Sequence, residues 1–307
     1  MGNNVKVKID DLKVGMTVAE EVENEYGAVL ISPGTVLNRK LIDKLSIAAK
    51  DYVIIYRGDN KKSLSKEKKV FDKENYEEKI DKIKNVFNDI EENQKINEDQ
   101  IKDTINDMME INSNLDIMSL LSDFRNKDDY TYRHSINVGL LSMMFGGWLN
   151  FSKSEIKKLS FAGFLLDIGK AKIPDKILYK KGPLTKDEYK VVKNHPVYSY
   201  KIIKKNLLIS NKTAQAVLFH HERKDGSGYP IGLEGEKIPL YARILGILDT
   251  YDAMTSDRCY KKHQTPFEVL DMLHHEFFHT FDISLLKVFT KNIAKYYQGE
   301  KVILSDD

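Results

Sequence analysis

Between residues 134 and 249 the chain carries His134, Asp167, His195, the adjacent pair His220 and His221, and Asp249, all side chains that ligate metals. One histidine on an apolar helix is usually a core residue with its hydrogen bonds satisfied. A series of histidines and aspartates at or within predominantly apolar helical segments, beside a glycine-rich loop, points instead to a shared site. Imidazole and carboxylate without thiolate suit Mn²⁺, Fe or Mg²⁺ better than a structural zinc site. The pair opens the stretch HHERKDGSGYP (220–230), whose glycines let backbone come close to a ligand and whose Tyr229 offers one ring. A two-histidine dipeptide alone is more often a surface coincidence, and its weight here comes from the other ligands.

Composition narrows the class. A chain of 307 residues accommodates one large domain and a smaller one. Lys and Arg number 48 against 46 Asp and Glu, and a net charge of +2 argues against a dedicated binder of nucleic acid polymers. Cys259 is the single cysteine, which rules out a disulfide framework and a thiolate cluster. The stretch MGNNVKVKIDD lacks the apolar core of a signal peptide. No apolar run approaches the roughly 18 residues of a membrane-spanning helix, so a cytoplasmic protein without membrane insertion is expected.

The elements that must position these ligands are mostly helical. Residues 1–57 read as a small β-containing module. Residues 5–9 alternate like a half-buried strand, 28–31 form a strand ended by Ser32-Pro33-Gly34, and 52–56 form a closing strand. Between them, residues 38–49 carry Leu41, Ile42 and Leu45 at helical spacing. The module reads as a structural cap, with docking or sensing as the alternative. Residues 58–100 form a lysine-rich linker and a connecting helix on which Tyr76, Ile80, Ile83, Phe87 and Ile90 make a narrow apolar seam. The seam suits either a coiled-coil homodimer or a helix pair packed on the main domain. Residues 101–307 form that domain, with apolar helical stripes at 135–149, 153–166, 185–195, 198–205, 213–220, 240–254, 265–275 and 283–297. The fold class is mainly α, a helical bundle with a small N-terminal β-containing domain.

The segments YTYRHS (130–135), LLDIGKAKIPDKIL (165–178), GPLTKDEY (182–189), KNHP (193–196), HHERKDGSGYP (220–230) and IPLYARILGILDTYDAMTSDRCY (238–260), with the weaker FDISLLKVF (281–289), resemble in order and spacing the HD-GYP domain of bacterial cyclic di-GMP phosphodiesterases. The resemblance implies an HD-GYP-like helical bundle that hydrolyses cyclic di-GMP to linear pGpG and onward to GMP. It implies two divalent ions (Fe, Mn or Mg): Asp167 bridges them, His195, His220 and His221 complete one site, and His134 and Asp249 serve the other. Asp167 and Lys170 are then the catalytic residues, with Lys170 reaching the scissile phosphate. Arg258 and Lys261 hold a phosphate of the nucleotide, and Gly228 and Tyr229 shape the loop. Cyclic di-GMP is the implied partner, with a diguanylate cyclase or another signalling protein beside it.

The chain departs from the family it resembles at the doublet that names that family. His-Asp there is Leu166-Asp167 here, and leucine cannot ligate a metal. Three protein ligands and water still form a workable set, so a weak second site and a reduced or metal-conditional activity are expected. The alternative is an inactive domain that serves as a cyclic-dinucleotide receptor or docking module. Tyr130 stands where some members carry a glutamate for a third metal, so two ions are expected rather than three. Cys259 replaces a customary proline, which only relaxes a turn. The run His275-Glu276-Phe277-Phe278-His279 also fits the zinc-protease pattern H-E-x-x-H. It falls at the end of a helical stripe with no third ligand following, so proteolysis is not expected.

Overall fold

The structure, a computed structural model, describes residues 4–23, 29–31, 33–48, 51–56, 73–92, 98–109, 117–118, 121, 130–206, 209–256 and 264–297. These belong to two compact units, one comprising residues 1–71, 111–119 and 291–307 and the other residues 72–110 and 120–290. No helix among the described residues is long and apolar enough to cross a membrane.

Among its described residues, the stretch 4–56 of the first unit forms two antiparallel strand pairs and one α-helix. Strand β1 (Asn4–Lys8) pairs with β4 (Tyr52–Tyr56) so that Val5 faces Ile55 and Val7 faces Val53. Strand β2 (Val22–Glu23) pairs with β3 (Val29–Ile31). Helix α1 (Arg39–Ala48) starts behind Asn38, whose side-chain oxygen accepts the Leu41 N–H at 2.8 Å and so satisfies a free helix-end donor. Leu41 and Leu45 then join Val18, Ile31, Leu37, Val53 and Ile55 in one core. The alternation read from residues 5–9 and 52–56 is the alternation observed, with Val53 and Ile55 buried and Tyr52 and Tyr56 exposed. Ile9 leaves the strand for a single helical turn at Ile9–Asp11.

The second unit is helical. It contains α2 (Lys73–Glu91), α3 (Glu98–Met109), α4 (Tyr130–Trp148), α5 (Lys153–Leu165), α6 (Asp175–Leu178) and α7 (Lys186–Val192). There follow α8 (His195–Asn206), α9 (Asn211–Phe219), α10 (Leu240–Thr255), α11 (Pro266–His275) and most of α12 (Ile283–Ala294). Capping boxes at Ser152/Glu155, Thr185/Glu188 and Thr265/Glu268 start α5, α7 and α11 by satisfying helix-end donors at both residues of each pair. Helices α4 and α10 are buried along most of their length. Ile136, Val138, Leu140, Ile244, Leu245, Ile247 and Leu248 are fully buried, which marks these two as the central pair. Phe289 of α12 packs edge-on against Phe145 and Tyr251 and beside Trp148, tying α12 to both.

Two boundaries differ from the sequence reading. Helix α4 begins at Tyr130 rather than 135, because its polar first turn shows no apolar periodicity, and His134 therefore lies inside the helix. The stripe at 185–195 stops early, at Val192, and His195 opens the next helix instead of closing the last one. Pro196 explains this: proline has no N–H to donate and is accommodated only in a first helical turn. In the apolar seam of α2, Ile80 and Phe87 are buried within the chain itself, with Phe87 edge-on to Tyr132 of α4 at 5.1 Å, which is the packed-helix arrangement. The linker expected at 58–72 lies outside the described residues.

Phe289→Ala removes a fully buried ring from the α4–α10–α12 contact and is expected to destabilise the protein by about 3–5 kcal/mol, while Phe289→Leu retains most of that stability. Denaturant titration of both variants measures the difference, and equal midpoints for Phe289→Ala and the wild type would contradict the packing.

Candidate metal centre

Asp167 sits at the end of α5, where the chain turns into a short helical stretch at Ile168–Lys172. The turn is pressed against the start of α8. A Cβ on Gly169 would fall 2.2 Å from the His195 carbonyl oxygen and 2.4 Å from the Ser199 nitrogen, so only glycine permits the approach. Ser199 Oγ fastens it, accepting the Gly169 N–H and donating to the Leu166 carbonyl, each at 2.8 Å. Asp167 is thereby held, almost wholly buried, with Oδ1 3.1 Å from His195 Nε2 and Oδ2 3.6 Å from His134 Nε2. The Lys170 ammonium donates to Oδ2. Burial pushes the Asp167 carboxyl up, but the Lys170 ammonium and the imidazoles of His195 and His134 outweigh it and hold the group well below the usual carboxylate range.

His195 and His220 share one device. Each stands at a helix end and donates its Nδ1 proton to a carbonyl three residues earlier, Val192 at 2.8 Å and Val217 at 2.7 Å. That fixes the tautomer and leaves Nε2 with a free lone pair. Both Nε2 atoms, with Asp167 Oδ1, are buried and have no hydrogen-bond partner. The ligand atoms of His195, His220 and His221 all lie within 4.8 Å of one another. Burial lowers His220 to about 4 and, with the neighbouring histidines and Arg223, carries His221 well below the ordinary imidazole value. Three converging imidazoles and a carboxylate, with His195 Nε2, His220 Nε2 and Asp167 Oδ1 free of hydrogen-bond partners, have the donor chemistry of a divalent-metal site, so these residues fit such an ion.

His134 is arranged differently. Its Nε2 is 2.9 Å from Asp249 Oδ1 and its Nδ1 is 2.7 Å from Asp252 Oδ2. Burial lowers its pKa, but the two carboxylates prevail and raise it to about 9. Asn137 steadies Asp252 from the far side, donating to Oδ1 at 2.9 Å. Asp249 also reaches the histidine cluster, with Oδ2 3.8 Å from His221 Nδ1. Asp167 and Asp249 therefore both lie between the His134 side and the His195/His220/His221 side.

The loop after the histidine pair folds back on it. Gly228 lies so close to the 221–223 backbone that a Cβ there would come within 2.4 Å of the Arg223 nitrogen. The buried Glu222 carboxylate accepts the N–H groups of Ile231, Gly232 and Leu233 at 2.7–3.2 Å, and the Tyr229–Pro230 peptide is cis. The Tyr229 N–H donates to the His221 carbonyl at 3.2 Å, and its ring is stacked on His221, centroids 4.6 Å apart.

The structure thus brings together His134, Asp167, Lys170, His195, His220, His221, Gly228, Tyr229 and Asp249. Arg258 and Lys261, and the neighbouring Cys259, lie outside the described residues. Leu166 is fully buried. The sequence reading missed Asp252, Asn137, Glu222 and Ser199. Asp252 was within reach of it, since it lies three residues after Asp249 and hence on the same helix face. His275 and His279 are not paired, because α11 ends at His275 and the second histidine falls in the following turns.

Comparison with known proteins identifies the family. The profile of the HD domain family matches residues 115–285. The chain is 37% identical over 180 residues to a cyclic di-GMP phosphodiesterase of Pseudomonas aeruginosa, covering 59% of this chain and 43% of that protein. It is 35% identical over 191 residues to a cyclic di-GMP phosphodiesterase of Thermotoga maritima, covering 61% and 51%. It is also 32% identical over 176 residues to 3'3'-cGAMP-specific phosphodiesterase 1 of Vibrio cholerae, covering 56% and 40%. The chain spans about half the length of these relatives or less. Among solved structures, Bd1817, an HDG"Y"P protein from Bdellovibrio bacteriovorus, shares the fold with a TM-score of 0.57 at 13% identity, covering 95% of this chain and all of that one.

Two outcomes follow from the site's electrostatics. His195→Ala or His220→Ala is expected to weaken Mn²⁺ binding by at least about 10-fold, measured by calorimetric titration. In chelator-treated protein, His220 contributes stability that is present above its ordinary 6.5 and lost as pH falls toward 4. His134 contributes stability that is full below 6.5 and lost as pH rises through about 9. Stability of the chelated protein should therefore peak near pH 6.5, and a curve that climbs steadily to pH 9 would contradict the His134–carboxylate pairing.

Proposed function

This chain belongs to the HD domain family, and from that premise we propose that it is a metal-dependent phosphodiesterase hydrolysing cyclic di-GMP to linear pGpG. The observation that carries the reading is the set of buried, unpartnered atoms Asp167 Oδ1, His195 Nε2 and His220 Nε2 beside the Lys170 ammonium. Asp167, His195, His220 and His221 would hold one divalent ion, and His134 and Asp249 with the shared Asp167 a second. Ions held there supply Lewis-acid polarisation of the phosphoryl oxygens and of a water molecule.

The chain's own groups do the rest. Lys170 brings a positive charge beside Asp167 Oδ2, where charge gathers on the phosphoryl oxygens during cleavage. Asp252 engages His134 Nδ1 and leaves Nε2 as the atom offered to the second site. Gly228 and Tyr229 form the wall against His221 that a nucleotide passes, and Arg258 and Lys261 grip a phosphate. Leu166 stands where the doublet histidine of HD-GYP domains would stand, which makes the second site the weaker one and the activity dependent on metal supply. That same leucine favours a second reading, a receptor that binds the cyclic dinucleotide without cutting it.

With Mn²⁺ or Fe²⁺ added, the purified protein is expected to convert cyclic di-GMP to pGpG, and Asp167→Asn to abolish the conversion. Leu166→His should tighten the second ion by about 10–100-fold and raise the rate. Less than one metal per chain together with no turnover under added metal would sink the enzyme reading. Binding of cyclic di-GMP without turnover would select the receptor.

A further inference from the structure

At the end of α7, Lys193 extends its ammonium between two tyrosine rings, 4.9 Å from the centroid of Tyr189 and 5.1 Å from that of Tyr229. Tyr229 is the ring stacked on His221 and lies 6.4 Å from His195. A ligand seated at the histidine cluster and extending past Tyr229 therefore meets Lys193. Among the described residues, two other cations beside the site are already engaged: Lys170 donates to Asp167, and Arg223 donates to the carbonyls of His220 and Glu222. Among the described residues no carboxylate pairs with Lys193. Aromatic faces hold an ammonium in place without cancelling its charge, so this lysine is oriented and electrostatically uncompensated at the mouth of the site.

We infer that Lys193, held between Tyr189 and Tyr229, binds the second, non-scissile phosphodiester of a cyclic dinucleotide. The inference rests on the phosphodiesterase reading above. Such a substrate carries two anionic diesters in one ring, and only one of them can occupy the metal-ligand cluster. The other must leave water beside that cluster, where an oriented ammonium is the group that matches it. Lys193 would thus favour cyclic dinucleotides over diesters with a single phosphate.

The test compares wild type, Lys193→Gln and Lys193→Arg on cyclic di-GMP and on bis(p-nitrophenyl) phosphate, which has one diester only. It uses the full chain with Mn²⁺ and measures cyclic di-GMP affinity in parallel by calorimetry. Lys193→Gln should lose about 10–100-fold more kcat/KM on cyclic di-GMP than on the single diester. The loss should appear in KM and in Kd, shrink at high salt, and be largely recovered by Lys193→Arg. Equal losses on both substrates would overturn the inference, since Lys193 would then act by supporting Tyr229 and His221. Wild-type behaviour of Lys193→Gln would overturn it as well while leaving the phosphodiesterase reading intact. A wild-type protein that neither binds nor cleaves cyclic di-GMP would remove both.

Discussion

Asp167 Oδ1, His195 Nε2 and His220 Nε2 are buried close together with their lone pairs unused, and holding them in that state is the constraint on which the helical unit depends. Each unsatisfied buried polar atom costs about 1–3 kcal/mol, and a protein bears several in one place only if the surrounding packing offsets them. The two central helices, with Ile136, Val138, Leu140, Ile244, Leu245, Ile247 and Leu248 fully buried, provide that packing. The local devices are equally definite: a histidine at each of two helix ends donates Nδ1–H to its own backbone, and a glycine lets the Asp167 turn touch α8.

The two sides of the site handle charge in opposite ways. The histidine side presents the unpartnered Nε2 atoms of His195 and His220, and burial drives His220 down to about 4. The His134 side is satisfied from within, its imidazole raised to about 9 by Asp249 and Asp252. Asp167 and Asp249 connect them, each with one oxygen toward either side. An ion on the histidine side would meet ready lone pairs, whereas one on the His134 side would compete with a proton.

The loop supplies the third part of the arrangement. Glu222 lies beside the histidine pair yet takes no place among the donors. Its carboxylate gathers the backbone N–H groups of residues 231–233, and this buried anion, with Gly228 packed on the 221–223 backbone, sets the Tyr229 ring against His221. The ring that then meets Lys193 is positioned by backbone hydrogen bonds rather than by side-chain packing alone.

Much was legible in the residues themselves. Helical periodicity and the strand alternation in 52–56 are local properties, so the mainly helical class and the small strand-bearing module could be read directly. The ligand series was legible because imidazoles and carboxylates recur on segments otherwise made for a core. Pro196 could have corrected the α7–α8 boundary, and the three-residue step from Asp249 could have pointed to Asp252. What the linear order could not provide was which atom of each ligand faces the site. That depends on hydrogen bonds made by the opposite atom: Val192 and Val217 carbonyls for His195 and His220, Asp252 for His134, and the Ser199 clasp for the Asp167 turn. Nor could it show that Lys193 lies between Tyr189 and Tyr229, which are four residues before and thirty-six after it in the chain. Residue types are set by the sequence, but the direction of a lone pair is set by long-range packing, and only the tertiary structure decides it.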